Sequence, residues 1–267
     1  NLIINSISGD FYIESVGTGS TTLTKKVIVN GNYIQSSGNL NLGYNTSSAI
    51  TANTRYSILE IKGDFTHTGG NITESATDSD YRCQILLSKT SGTQSIESVG
   101  NMTGLIEFNV AGSDAQCVVP ATKTFVQSGG QPTFVVANGS SSVDLNILGT
   151  FRRTSTNAMT ISASAVAQCA SGGTYEHGFD GGAVPPITWN SGSTFEVTGI
   201  TNENSFSSGG IQSFHHVVWN CPSQTSIFSF GGLTTINGNF TVQSTGASPS
   251  ASSMLLLTNS STLTTTV

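Results

Sequence analysis

Short runs in which apolar and polar residues alternate fill the chain. Val27-Ile28-Val29, Ile58-Leu59-Glu60-Ile61, Leu105-Ile106-Glu107-Phe108-Asn109-Val110, Phe134-Val135-Val136 and Leu145-Asn146-Ile147 are each bounded by Gly, Asn or Ser. Alternation with a period of two, closed by turn-forming residues, predicts strands about four to seven residues long. No sustained 3.6-residue apolar periodicity occurs, and Gly or Pro recurs every several residues, so helices are not expected.

The runs are also self-similar. An aliphatic strand leads into a glycine, a small polar residue and an aromatic in Gly31-Asn32-Tyr33, Gly63-Asp64-Phe65, Gly149-Thr150-Phe151 and Gly238-Asn239-Phe240, with Gly9-Asp10-Phe11 as a weaker copy. Gly38, Gly69 or Gly246, and Asn157 in the third copy, follow the aromatic where a left-handed turn is expected. One such unit cannot bury its own apolar face, so it must stack on a neighbour, and many stacked units make a solenoid. The expected fold class is all-β: a right-handed parallel β-helix, or β-solenoid, built from short strands, with a β-sandwich-like insertion allowed. Intervals of 86 and 89 residues between the later corners each suit four coils of about 22 residues, and the interval of 32 requires an inserted loop. A longer period relates Leu2-Ile3-Ile4-Asn5 to Val217-Val218-Trp219-Asn220. Solenoid coils are therefore expected over 1–171, a Trp- and Pro-containing module over 172–222, and the start of the next repeat over 223–267.

Composition excludes several classes. Charged residues are only 9% of the 267, whereas apolar residues are 36% and mean hydropathy is +0.01. Such a chain folds rather than staying disordered, with a surface solubilised by hydroxyls and amides. Nine basic residues and a net charge of −6 leave no basic stripe for a nucleic acid. No apolar stretch approaches the roughly 18 residues of a membrane span. The opening Asn-Leu-Ile-Ile-Asn reads as mid-strand, as in a segment of a longer exported protein.

Reactive constellations are not evident, and neither a catalytic residue, a metal ligand set nor a cofactor is expected. The tightest acidic pair, Asp78 and Asp80, reads as a solvated loop or a weak Ca²⁺ site without EF-hand spacing. Arg152 and Arg153 occupy slots held by Ile34, Thr66 and Thr241, and by Gln35, His67 and Val242, in the other copies. Such variety predicts peripheral positions. His215 and His216 are adjacent and, in one strand, would face opposite sides. Cys83, Cys117, Cys169 and Cys221 are too widely spaced for a C-x-x-C site. They read as small buried hydrophobes, with disulfides as the alternative that secretion permits.

Residues 172–222 carry a resemblance. Gly173-Thr174-Tyr175-Glu176-His177, Val184-Pro185-Pro186-Ile187-Thr188-Trp189, Val197-Thr198-Gly199-Ile200-Thr201, Gly210-Ile211-Gln212-Ser213-Phe214 and Trp219-Asn220-Cys221-Pro222 resemble a module of giant secreted repeat adhesins of the Bacteroidetes type. Those proteins are exported by the type IX secretion system, and some serve gliding motility. Phe195 stands where that pattern often has Cys, which leaves Cys221 without the pattern's customary partner. Trp189 and Trp219 can fill the solenoid interior. Alternatively, Tyr175, His177 and Trp189 form an exposed platform that stacks on sugar rings.

The resemblance and the repeats together imply a secreted, cell-surface, non-enzymatic segment of an adhesin filament. Its partners would be neighbouring repeats of the same chain, and surface glycans or the secretion machinery. The alternative is a carbohydrate-binding or degenerate carbohydrate-active β-helix.

Overall fold

The computed structural model describes residues 1–5, 10–13, 24–43, 55–74, 81–110, 115–128, 133–139, 142–231, 235–246 and 254–257. Among them every regular element is a strand, and no helix is long and apolar enough to cross a membrane. The protein is all-β. Strands pair in parallel with the strand of the same kind one pass earlier in the sequence, and no antiparallel pair occurs among the registers of the described residues. A β-sandwich-like insertion therefore has no counterpart there. Asp78 and Asp80 lie outside the described residues.

Two compact units divide the chain. The first comprises 1–118, 128–145 and 157–165, and the second 119–127, 146–156 and 166–267. In the first unit the first four passes each give one strand to each of three ladders, and the third ladder continues for two strands more. One ladder holds Leu2–Ile4, Tyr33–Gln35, Phe65–His67 and Thr93–Ser98. Another holds Asp10–Tyr12, Asn39–Gly43, Asn71–Glu74 and Asn101–Thr103. The third runs from Thr24–Val29 through Arg55–Ile61, Tyr81–Leu87, Ile106–Val110 and Thr133–Val136 to Ala158–Ile161. The second unit is organised on one long ladder of Thr124–Gln127, Thr150–Arg153, Thr174–His177, Thr194–Val197, His216–Asn220 and Phe240–Ser244.

The alternation seen in the sequence becomes burial in the structure, because successive side chains of a strand point to opposite faces. Ile106, Phe108 and Val110 are buried, and Glu107 and Asn109 between them are partly exposed. Equivalent inward positions stack one above another. Tyr33 lies on Phe65 with ring centroids 5.1 Å apart, Phe108 on Phe134 at 5.2 Å, and Phe125 on Phe151 at 5.3 Å. Each fully buried aromatic contributes about 1.5–3 kcal/mol through burial.

The Gly-polar-aromatic corners follow directly. Tyr33 pairs with Phe65 in register, and Phe151 and Phe240 occupy one ladder four steps apart. Tyr33, Phe65 and Phe151 are fully buried, whereas Phe240 is half-buried on the last strand of its ladder. In the first unit the polar residue forms a spine. Asn32 N–H donates to Asn1 Oδ1 at 2.9 Å, Asp64 N–H to Asn32 Oδ1 at 2.9 Å, and Ser95 N–H to Asp64 Oδ1 at 2.9 Å. The corner glycine leaves room for this spine: a Cβ on Gly63 would lie 2.4 Å from Asn32 Oδ1. On Gly149 it would lie 2.1 Å from the carbonyl oxygen of Pro120. Close approach, not a left-handed backbone, fixes the corner glycines. The left-handed turns themselves fall at Gly38, Gly70 and Gly246, with φ of 77°, 79° and 90°; Gly69 and Asn157 do not take that conformation.

A uniform coil of 22 residues does not hold. In the first unit the ladder partners Leu2, Tyr33, Phe65 and Ile96 are 31 or 32 residues apart. In the second, Phe125, Phe151, Tyr175, Phe195, Val217 and Phe240 are 20 to 26 apart. The 32-residue interval is a single pass, since Tyr33 pairs directly with Phe65, rather than a short coil with an insertion. Leu2 pairs with Tyr33 and Val217 with Phe240, so the two segments related by the longer sequence period each precede their aromatic corner by a single pass.

Candidate functional site

Two residues beyond the inward positions Tyr33, Phe65, Ile96, Phe125, Phe151 and Tyr175, the ladders carry a column of buried polar side chains, which gives way to buried Val197 and exposed Val242 beyond Phe195 and Phe240. Gln35, His67 and Ser98 form it in the first unit, and Gln127, Arg153 and His177 in the second. The slot of Arg153 is interior at Gln35, His67 and Arg153, not peripheral as its variety implied, though Val242 in the last copy is exposed; the slot of Arg152 holds exposed Arg152 and Thr241 and half-buried Ile34 and Thr66, as expected. Gln35, His67 and His177 each bond a carbonyl of the turn that follows their strand, and a buried turn needs such partners. Gln35 Nε2 donates to the carbonyls of Gly38 at 3.0 Å and Asn71 at 3.1 Å. His67 Nε2 lies 3.3 Å from the Gly70 carbonyl, and its Nδ1 lies 3.1 Å from Ser98 Oγ. His177 Nε2 donates to the Gly181 carbonyl at 2.7 Å. Burial pushes the pKa of both His67 and His177 down to about 4, so both are neutral at pH 7.

Arg153 is a fully buried cation. Its Nη1 donates to Tyr175 Oη at 3.0 Å and to the Ala183 carbonyl at 2.9 Å, and the guanidinium carbon lies 4.9 Å from the centre of the Phe179 ring. It ties the corner of one pass to the Tyr175 ring of the next. Arg152 points outward and pairs with Glu176 at 2.6 Å.

The aromatic platform does not form. Tyr175 and His177 have no exposed surface. Tyr175 stacks on Phe151 at 6.2 Å, and the His177 ring lies 3.9 Å from Phe179. Trp189 is half-buried, its ring 5.0 Å from Phe214, and it donates from Nε1 to Gln212 Oε1 at 3.1 Å. Trp219 is fully buried and donates to Gln224 Oε1 at 3.0 Å. Period-2 alternation in Thr174–His177 had already put Tyr175 and His177 on one face; only packing determined that this face is the inner one.

Outside the core, Asp180 is engaged structurally. Asp180 Oδ1 accepts from Thr201 N–H at 2.8 Å and Glu203 N–H at 3.1 Å, and its Oδ2 accepts from the Thr201 hydroxyl at 2.6 Å and Asn202 N–H at 3.0 Å. Burial alone would raise the pKa of this carboxyl, but the hydrogen bonds outweigh it and lower it. In-register pairing sets Glu196 beside Glu176, and burial together with that charge raises the pKa of Glu196. His215 precedes the strand His216–Asn220 rather than lying in it, so its ring meets that of His216 at 4.3 Å instead of facing away. All four cysteines are buried free thiols, with pKa raised by burial, to about 12 for Cys169 and about 11 for Cys221.

One feature was not legible in the sequence: a cleft of about 440 Å³ in the second unit, lined by Asn204, Ser205, Ile227, Ser229 and Gly231. Alternation makes it. Ser205 and Ser229 are bridged in parallel and Ile227 is exposed, while Phe206, Phe228 and Phe230 turn inward and pack on one another at 4.8 to 6.2 Å. No protein-family model matches the chain, and neither a curated protein nor a solved structure matches it.

Proposed function

We propose that the ladders are faces of a right-handed parallel β-helix, and that the chain is a structural and adhesive repeat segment of a large secreted cell-surface filament. The right hand rests on the general chirality of parallel crossovers. The observation that carries the proposal is the pass-on-pass register: inward columns stay aligned through passes of 20 to 32 residues, so such a segment extends by adding passes without enlarging its core. The sequence resemblance of 172–222 to type IX-exported adhesins, including those of gliding motility, supports the cell-surface role. A non-enzymatic reading is supported by the way Glu176, Asp180, His67 and His177 are committed to structural bonds.

Adhesion is measured with beads coated with the chain and pushed by shear flow over glass and over glycan-coated surfaces. Retention well above that of beads coated with an inert protein is expected, together with antibody labelling of the protein on intact cells of its source. Beads that wash off like the control, or labelling confined to the cell interior, would overturn the proposal. Sustained turnover of any member of a panel of neutral and acidic polysaccharides would overturn its non-enzymatic part.

A further inference from the structure

We infer that the cleft formed by Asn204, Ser205, Ile227, Ser229 and Gly231 binds a neutral oligosaccharide, which gives the proposed adhesive segment its ligand class and rests on that adhesive reading. Its volume, about 440 Å³, falls in the roughly 300–1,000 Å³ range of small-ligand clefts. None of the five lining side chains ionises, so the cleft offers nothing specific to an anion or a cation.

What it offers is suited to a polyol. Ser205 Oγ donates to Asn204 Oδ1 at 3.3 Å, and Ser229 Oγ accepts from Gly231 N–H at 3.0 Å. The Asn204 NH₂ and the Ser229 hydroxyl proton have no hydrogen-bond partner among the described residues, so two donors of the lining are free for a ligand. Ile227, 40% exposed, supplies an apolar surface for the C–H face of a ring. Gly231 turns the rim at φ 84°, and a Cβ there would meet nothing within 4 Å, so the backbone is approachable from outside. The bridge between Ser205 and Ser229 and the Phe206, Phe228 and Phe230 cluster beneath hold these groups on a rigid base, as a preformed site requires.

Saturation-transfer NMR on the whole chain, with cellobiose, chitobiose, maltose and mannobiose as neutral probes and digalacturonic acid as the acidic one, tests this. Transfer to at least one neutral probe is expected, with affinity about tenfold weaker in Asn204→Ala and in Ile227→Ala. Both side chains are exposed, so the variants keep the fold, which circular dichroism verifies. Thr241→Ala, on the exposed side of a strand away from the cleft, leaves binding unchanged. No transfer to any neutral probe, preference for the acidic one, or wild-type affinity in both cleft variants would overturn the site. If coated beads adhere equally well with Asn204→Ala and no neutral probe binds, the cleft fails and the adhesive reading stands. If the probes bind but the beads never adhere, the adhesive reading fails and the cleft stands as a sugar site.

Discussion

The two units meet the same backbone demand in different ways at the residue before each corner aromatic. In the first unit that residue is Asn32 or Asp64, its N–H goes to a side-chain oxygen one pass earlier, and the strand begins only at the aromatic, as in Tyr33–Gln35 and Phe65–His67. In the second unit it is Thr150, Thr174 or Thr194. There the N–H goes to a backbone carbonyl, of Lys123, Gly149 or Gly173, and the strand begins one residue sooner. Asn and Asp compete with the ladder through their own side chains, while β-branched Thr prefers the extended strand. The last corner reverts to the first pattern: Asn239 N–H donates to His216 Nδ1, and the strand begins at Phe240. At these aromatic corners the residue before the ring thus sets where the strand begins.

Phe151→Ala breaks the shared part of this design, the stacked aromatic column, and should cost about 3–5 kcal/mol because the stacked rings of Phe125 and Tyr175 cannot close the hole. Chemical denaturation of the variant measures it. Gly149→Ala should cost about 1–3 kcal/mol through overpacking against the Pro120 and Lys123 carbonyls, where backbone must shift.

Acid acts on both units alike through their corner columns. His67 and His177 have folded pKa values of about 4, against about 6.5 unfolded. The stability they confer is therefore complete above pH 6.5 and is lost as pH falls from 6.5 through 4, by on the order of 3 kcal/mol each. Glu196, raised in the folded state, works in the opposite direction over the carboxylate range. Because Gln35 fills the same column, His67→Gln should keep neutral-pH stability within about 1 kcal/mol and remove its share of the acid loss. Thermal melts between pH 7 and pH 4 read this out, and an unchanged acid slope would contradict it.

The smallest effect concerns the spine. Asn32→Ala should cost about 1 kcal/mol by leaving Asp64 N–H without its acceptor, and Asn32→Thr less, because Thr lets the ladder extend as in the second unit. Equal losses in the two variants would mean that the spine and the extended ladder are not interchangeable.

Strands, the repeat and the corner aromatics Tyr33, Phe65 and Phe151 were readable along the chain, because each depends on near neighbours and on a period of two. Spacing between equivalent corners was readable only where passes are short: the four steps from Phe151 to Phe240 match the 89 residues between them, while the 31- and 32-residue passes do not follow a fixed coil length. The sequence by itself thus determined an all-β chain of parallel-stacking repeats, since alternation and glycine corners act locally. Tertiary structure alone decided that Tyr175, His177 and Arg153 face the core, that Gly63 lies under Asn32, and that Ser205 and Ser229 border one cleft. Each of those facts joins residues on different passes, and which residues of two passes meet depends on connection lengths that a local pattern does not encode.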